Sequence, residues 1–179
     1  GGRGALDADG HEWPHVTRDS ISPGKCRRYY HAECGVNSRL ASIQAAILRI
    51  KLRYLDQDNV ARRAAAALYD RALAGCGKVV TPYVAPYSRH VYHQYTPQLA
   101  DGVDREGLIA HLNAKGIPAM IYYPVALRKQ KAYDTYDYDD TQFPNTDFLV
   151  QRVVSLPMHT ELDQQMVDYI AGAVLEYVK

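Results

Sequence analysis

Residues 38–74 read SRLASIQAAILRIKLRYLDQDNVARRAAAALYDRALA. Leu40, Ile43, Ile47, Ile50 and Tyr54 recur at spacings of three and four, with Leu48, Leu52 and Leu55 running beside them. That period predicts a helix with a wide apolar face, as on a largely buried element. Asn59 marks an expected bend, after which Val60, Ala64, Ala67 and Leu68 continue the period to a stop at Gly75. At about 1.5 Å per residue this is one helix, or two nearly collinear ones, on the order of 50 Å long. A helix of that length bridges two subdomains or lies in a subunit interface. A plain core helix is compatible with either.

Upstream, residues 1–36 are irregular, with Gly1, Gly2 and Gly4 at the start and Pro14, Pro23 and Gly24 further on. Downstream the pattern shortens. Lys78–Thr81 is β-branched, and in His90–Thr96 residues Val91, His93 and Tyr95 alternate with Tyr92, Gln94 and Thr96. Asp104 is placed to cap a helix carrying Leu108, Ile109 and Leu112, with Gly116 at its end. Strands are predicted at Ala119–Tyr123 and Arg152–Leu156, a helical turn at Arg128–Tyr133 and an acidic loop at 134–147. Thr160 with Asp163 resembles a capping box ahead of a last helix through Met166, Ile170, Val174 and Tyr177. The order is a long helix followed by a small α/β sandwich, with a short, mainly antiparallel sheet covered on one face.

The chain has 179 residues, enough to bury a core without metals or disulfides. Hydrophobic residues make up 47% and charged residues 23%, a globular composition. Twenty-one Lys and Arg against 20 Asp and Glu leave no clustered positive field of the kind a nucleic-acid backbone needs. Arg49, Lys51, Arg53, Arg62 and Arg63 form a basic stripe, but Asp56, Asp58 and Asp70 break it. No apolar run reaches membrane-helix length. Cys26, Cys34 and Cys76 form no CxxC pair and point to a reducing cytoplasm.

Few residue patterns carry chemistry. His90 and His93, three apart on a predicted strand, suit no common zinc site, so no metal is expected. Gly24-Lys25 fails the P-loop pattern on both sides. No cysteine has a neighbouring His in a nucleophile pattern. Two stretches are richer. In YYHAECGVNSRL (29–40), Asn37 and Arg39 sit at the start of the long helix, where N–H groups and an arginine make an anion site; the plain alternative is a cap and a solvated arginine. In IYYPVALRKQKAY (121–133), a strand ends in Tyr122 and Tyr123 before a proline and a basic turn. That is a rim for an anionic ligand, or a strand end with surface charge.

Five segments in register resemble the DegT/StrS-type aminotransferases, which act on nucleotide sugars with pyridoxal phosphate. They are RYYHAECGVNSRLASIQAAILRIKLRYLD (28–56), HVYHQYT (90–96), GIPAMIYYPVALRKQKAY (116–133), FPNTD (143–147) and VVSLPMHTELD (153–163). The flavour is that of enzymes for 3-keto sugars. The resemblance implies the C-terminal portion of a fold-type-I, aspartate-aminotransferase-like enzyme. Residues 1–36 are then a remnant of the large cofactor domain, 37–75 a linking helix and 76–179 the small domain. It implies that Asn37 reaches the cofactor phosphate in the partner subunit. It also implies that Arg39, Tyr122 and Tyr123 contact a nucleotide-diphosphate sugar, and that the enzyme is a homodimer or associates through the long helix.

The sequence also departs from the family. The lysine that forms the Schiff base would fall just upstream of Gly1-Gly2-Arg3-Gly4-Ala5, and none of the seven lysines here sits in a matching place. No catalytic residue is therefore expected in this chain, and no covalently held cofactor. Ala41 stands where the family carries an acidic residue, Arg128 where a His is common, and residues 6–27 match poorly. The expected activity of the complete enzyme is amination of a keto sugar on a nucleotide, with glutamate as donor. Such sugars are destined for surface polysaccharide or secondary metabolites. The alternative is a stand-alone, non-catalytic module that oligomerises.

Overall fold

The computed structural model describes residues 29–31, 40–134 and 137–179. Asn37, Arg39, Cys26, Cys34 and nearly all of the irregular 1–36 stretch lie outside the described residues. The long helix is built as α1 (Ser42–Lys51), a 3-10 turn (Leu52–Tyr54) and α2 (Leu55–Leu73). The expected bend at Asn59 is not there: Asn59 lies inside α2, and the break falls at Leu52–Tyr54. Tyr54, at φ −107° and ψ −3°, ends the tightened turn and opens α2. Gly75 stops the helix in the left-handed region at φ 78°, a conformation glycine adopts without penalty.

The expected apolar stripe is not the buried face: its α2 members Val60, Ala64 and Ala67 are exposed and Leu68 is only partly covered. α2 buries Ala65, Ala66, Tyr69 and Leu73, whereas α1 buries nothing, and Ile43 is 77% exposed and Leu52 62%. Among the described residues, then, the predicted stripe lies largely on the surface along both helices, and the core takes a neighbouring face of α2.

The sheet is frayed. β1 (Val79–Val80) pairs antiparallel with β2 (Gln98–Leu99), with Val79 opposite Leu99. Single antiparallel bridges then join Gln98 to Val153, Tyr95 to Leu156 and Met120 to Ser155. The segment order across the sheet is thus 79–80, 95–99, 153–156, 120. The alternation expected for His90–Thr96 fails because Tyr92 takes a positive φ of 45°. That reversal buries both Tyr92 and Tyr95, which a flat strand would send to opposite faces. Arg62 donates to the carbonyls of Tyr92 and His93, and His90 Nδ1 accepts the Tyr92 N–H at 2.9 Å, which holds the turn.

Three helices cover the sheet: α2, α3 (Arg105–Ala114) and α5 (Gln164–Val178). Asp104 caps α3 as expected, accepting from the Gly107 N–H at 3.0 Å, and Gly116 ends it at φ 75°. The cap of α5 is Asp163 itself, accepting from the Met166 N–H at 2.8 Å, so the Thr160–Asp163 box is replaced by a single side-chain cap. The predicted loop 134–147 gives way to α4 (Pro144–Arg152), opened by the proline. α4 runs on to Arg152, so the expected strand is reduced to bridges at 153, 155 and 156.

The core centres on Leu99, Leu108, Leu112, Val154, Val167 and Val174. Tyr69 stacks on Tyr95 with ring centroids 4.7 Å apart. Their hydroxyls donate to Pro157 O (2.9 Å) and to Asp70 Oδ1 (2.6 Å). Burial pushes both phenols well above the ordinary tyrosine range, and for Tyr95 the bond to Asp70 adds to it. Among the described residues no helix is long and apolar enough to cross a membrane.

Candidate functional site

The Met120–Ser155 bridge fixes the chain that leads into Tyr122 and Tyr123. Tyr122 is half-buried and lines a cleft of about 310 Å³, with His93, Gln94, Met120, Ser155 and Pro157 among its walls. Ser155 and Thr96 share a hydroxyl–hydroxyl bond of 2.8 Å at one side of it. Tyr123 projects outward, 59% exposed. The two rings lie edge to face, 5.8 Å apart. Phenol hydroxyls at such a mouth can donate to or accept from a sugar hydroxyl or a phosphate oxygen.

A third ring joins them. Tyr29 meets Tyr122 at 6.0 Å and Tyr123 at 5.4 Å, both edge-on. Residue 29 is thus brought against residues 122–123 by the tertiary fold. The buried side-chain amide of Gln130 holds the same segment: Oε1 accepts the His31 N–H at 2.9 Å and Nε2 donates to Tyr29 O at 2.8 Å. The Ala132 N–H completes the seam with a 3.0 Å bond to His31 O. Tyr29 and Gln130 lie in the two richer stretches of the sequence, but neither shows a role there, because each finds its partners about a hundred residues away. A glutamine buried inside a basic turn is the one local hint.

The basic turn is less free than its sequence implies. Arg128 Nη2 pairs with Asp147 Oδ2 at 2.5 Å, and Lys129 Nζ lies 3.3 Å from Asp147 Oδ1. The Arg128 guanidinium also sits 5.0 Å over the Phe143 ring. Partial burial pulls the Asp147 carboxyl upward, yet the bonds from Arg128 and Lys129 outweigh it and hold it below the usual range. These cations therefore anchor the start of α4 more than they present charge to a ligand. Among the described residues, no group of three or more His, Cys, Asp or Glu is placed to hold a metal ion. The sequence-predicted pair Tyr122 and Tyr123 is brought together; the pair Asn37 and Arg39 lies outside the described residues.

A long helix leading into a helix-covered, mainly antiparallel sheet is an aminotransferase-like fold. The crystal structure of S. venezuelae DesV in complex with a ketimine intermediate matches it with a TM-score of 0.72 at 34% identity, over 87% of this chain and 41% of that one. Residues 15–175 match the model of the DegT/DnrJ/EryC1/StrS aminotransferase family, and the chain belongs to that family. The match starts ahead of Arg28, so the likeness reaches into a stretch the motifs left poorly matched. A UDP-2-acetamido-2-deoxy-3-oxo-D-glucuronate aminotransferase from Pseudomonas aeruginosa is 36% identical over 97% of this chain. A pleiotropic regulatory protein from Geobacillus stearothermophilus is 35% identical over 92% of it. The chain spans 46% of the length of each of these two relatives.

The described residues do not by themselves fit the family's cofactor, pyridoxal phosphate. Its attachment needs a lysine amine inside a closed cleft. Lys115 is engaged with Glu176 at 2.9 Å, Lys129 with Asp147, and Lys78 with the Lys179 carbonyl. Lys51, Lys131 and Lys179 are exposed. None lines the cleft beside Tyr122.

Proposed function

We propose that this chain is the substrate-facing part of a pyridoxal-phosphate-dependent aminotransferase that aminates a keto sugar carried on a nucleotide diphosphate, with glutamate as donor. The observation that carries this reading is the 36% identity, over 97% of the chain, to an enzyme named for a 3-oxo sugar nucleotide. The cleft lined by Tyr122, with the exposed Tyr123 ring beside it, supports it and has room for a sugar ring. The cofactor, bound in the complete enzyme, supplies the electron sink, and the lysine that holds it is outside this chain. Within the chain, Tyr122 and Tyr123 orient the sugar nucleotide, Arg39 meets its diphosphate or acid group, and Asn37 reaches the cofactor phosphate of the partner subunit. Surface polysaccharide or secondary-metabolite biosynthesis in the cytoplasm is the setting this chemistry serves. Titration calorimetry of the full-length protein with UDP and with dTDP tests the reading. Binding of one of them, weakened about tenfold or more by the double change Tyr122→Phe, Tyr123→Phe, is the expected result. Binding of neither refutes it.

A second reading rests on α1. Its exposed Ile43, Ile47 and Ile50, with none of α1 buried and Leu52 exposed in the turn that follows, favour a module that associates through this helix. Light scattering tests it: a clean monomer at micromolar concentration speaks against the module, and against the partner-subunit role of Asn37 as well.

A further inference from the structure

We propose that Gln130 is a positioning residue. Its side chain clamps residues 29–31 to the turn beside the tyrosine rim, so that the Tyr29 ring is held against Tyr122 and Tyr123. The inference rests on the functional reading above, because it assigns a role within that same site. The geometry is specific to an amide. Gln130 is 5% exposed and offers one acceptor and one donor to the backbone on either side of Tyr30. With the Ala132 N–H bonded to His31 O, the seam is a one-residue imitation of a sheet ladder made by a side chain.

Two consequences follow locally. Tyr29 is held at φ 71°, a left-handed conformation that a tyrosine adopts only where its surroundings impose it. That conformation sets the Tyr29 ring edge-on against both Tyr122 and Tyr123, limiting how those rings can turn. Releasing the clamp frees the Tyr29 ring and with it the rim.

The test uses the full-length protein, hydrogen exchange at the His31 and Ala132 amides, and calorimetry with UDP and dTDP. Gln130→Met removes both bonds; Gln130→Glu keeps the acceptor for His31 and loses the donor to Tyr29. Tyr29→Leu keeps the backbone clamp and removes the ring. Exchange at His31 is expected to quicken about tenfold or more in Gln130→Met and less in Gln130→Glu. Nucleotide affinity falls in the same order, by about tenfold for the first. In Tyr29→Leu affinity falls while His31 stays protected, which keeps the test open should Gln130→Met fail to fold. Unchanged exchange in Gln130→Met overturns the clamp. Quickened exchange with wild-type affinity overturns the positioning role and leaves the functional reading standing. A wild-type protein that binds neither nucleotide overturns the functional reading itself, whatever the exchange shows.

Discussion

Removing one oxygen from Tyr95 tests the link between the long helix and the sheet. Tyr95→Phe keeps the ring stacked on Tyr69 and deletes only the hydroxyl that donates to Asp70 Oδ1 at 2.6 Å. The acceptor is a carboxylate, so the bond belongs to the stronger class, worth about 1.5–3 kcal/mol. Asp70 is half-buried, and water regains part of the loss, so the lower end applies, about 1.5–2 kcal/mol. Tyr69→Phe is the internal control. Its hydroxyl donates to a neutral carbonyl, Pro157 O at 2.9 Å, and its loss costs about 1 kcal/mol. Urea unfolding at neutral pH reads both, and for a chain of this size the larger loss lowers Tm by roughly 3–8 °C. A double-mutant cycle with Asp70→Asn isolates the pair, with an expected coupling above about 1 kcal/mol. Equal costs for the two tyrosines, or additivity of Tyr95→Phe with Asp70→Asn, would refute the charge-assisted bond as the anchor of α2 on the sheet.

Other outcomes follow from the same contacts. Gly107→Ala should destabilise by about 1 kcal/mol although helix propensity alone favours alanine, because the new Cβ would run into Tyr177 Oη and Asp104 Oδ2 and so displace the cap of α3. Thermal unfolding that rises instead would show that Asp104 and Tyr177 step aside freely. The Asp147 carboxyl is held below its unfolded-state value by Arg128 and Lys129, so its contribution is present above about pH 4 and fades as pH falls through the folded value. Asp147→Asn should therefore unfold more readily than wild type at pH 7, with the gap narrowing toward pH 2; a gap independent of pH would refute the ion pair as its source.

The long helical stretch, the Asp104 cap and the stops at Gly75 and Gly116 were legible in the primary structure because each depends on residues within one or two helical turns. Five spaced segments carried the family for the same reason: they are local strings in a fixed order. Which face of the helix is core was not legible: Ala65, Ala66, Tyr69 and Leu73 are buried beside the expected stripe, a choice made by what packs against α2. The reversal at Tyr92 escaped notice because a positive φ in a tyrosine is imposed by Arg62 and His90, not by its neighbours' propensities. Arg128 read as a free cation until the fold set Asp147 beside it.

What the chain alone determined is the long helix, α3, α5, the Asp104 cap and its kinship, all short-range properties written in periodicity and motif. The tertiary structure decided that Tyr29 stands between Tyr122 and Tyr123 and that Gln130 bridges His31 and Tyr29. Those contacts join residues about a hundred positions apart, and only packing of the whole sheet and its helices brings such distant groups within hydrogen-bonding reach.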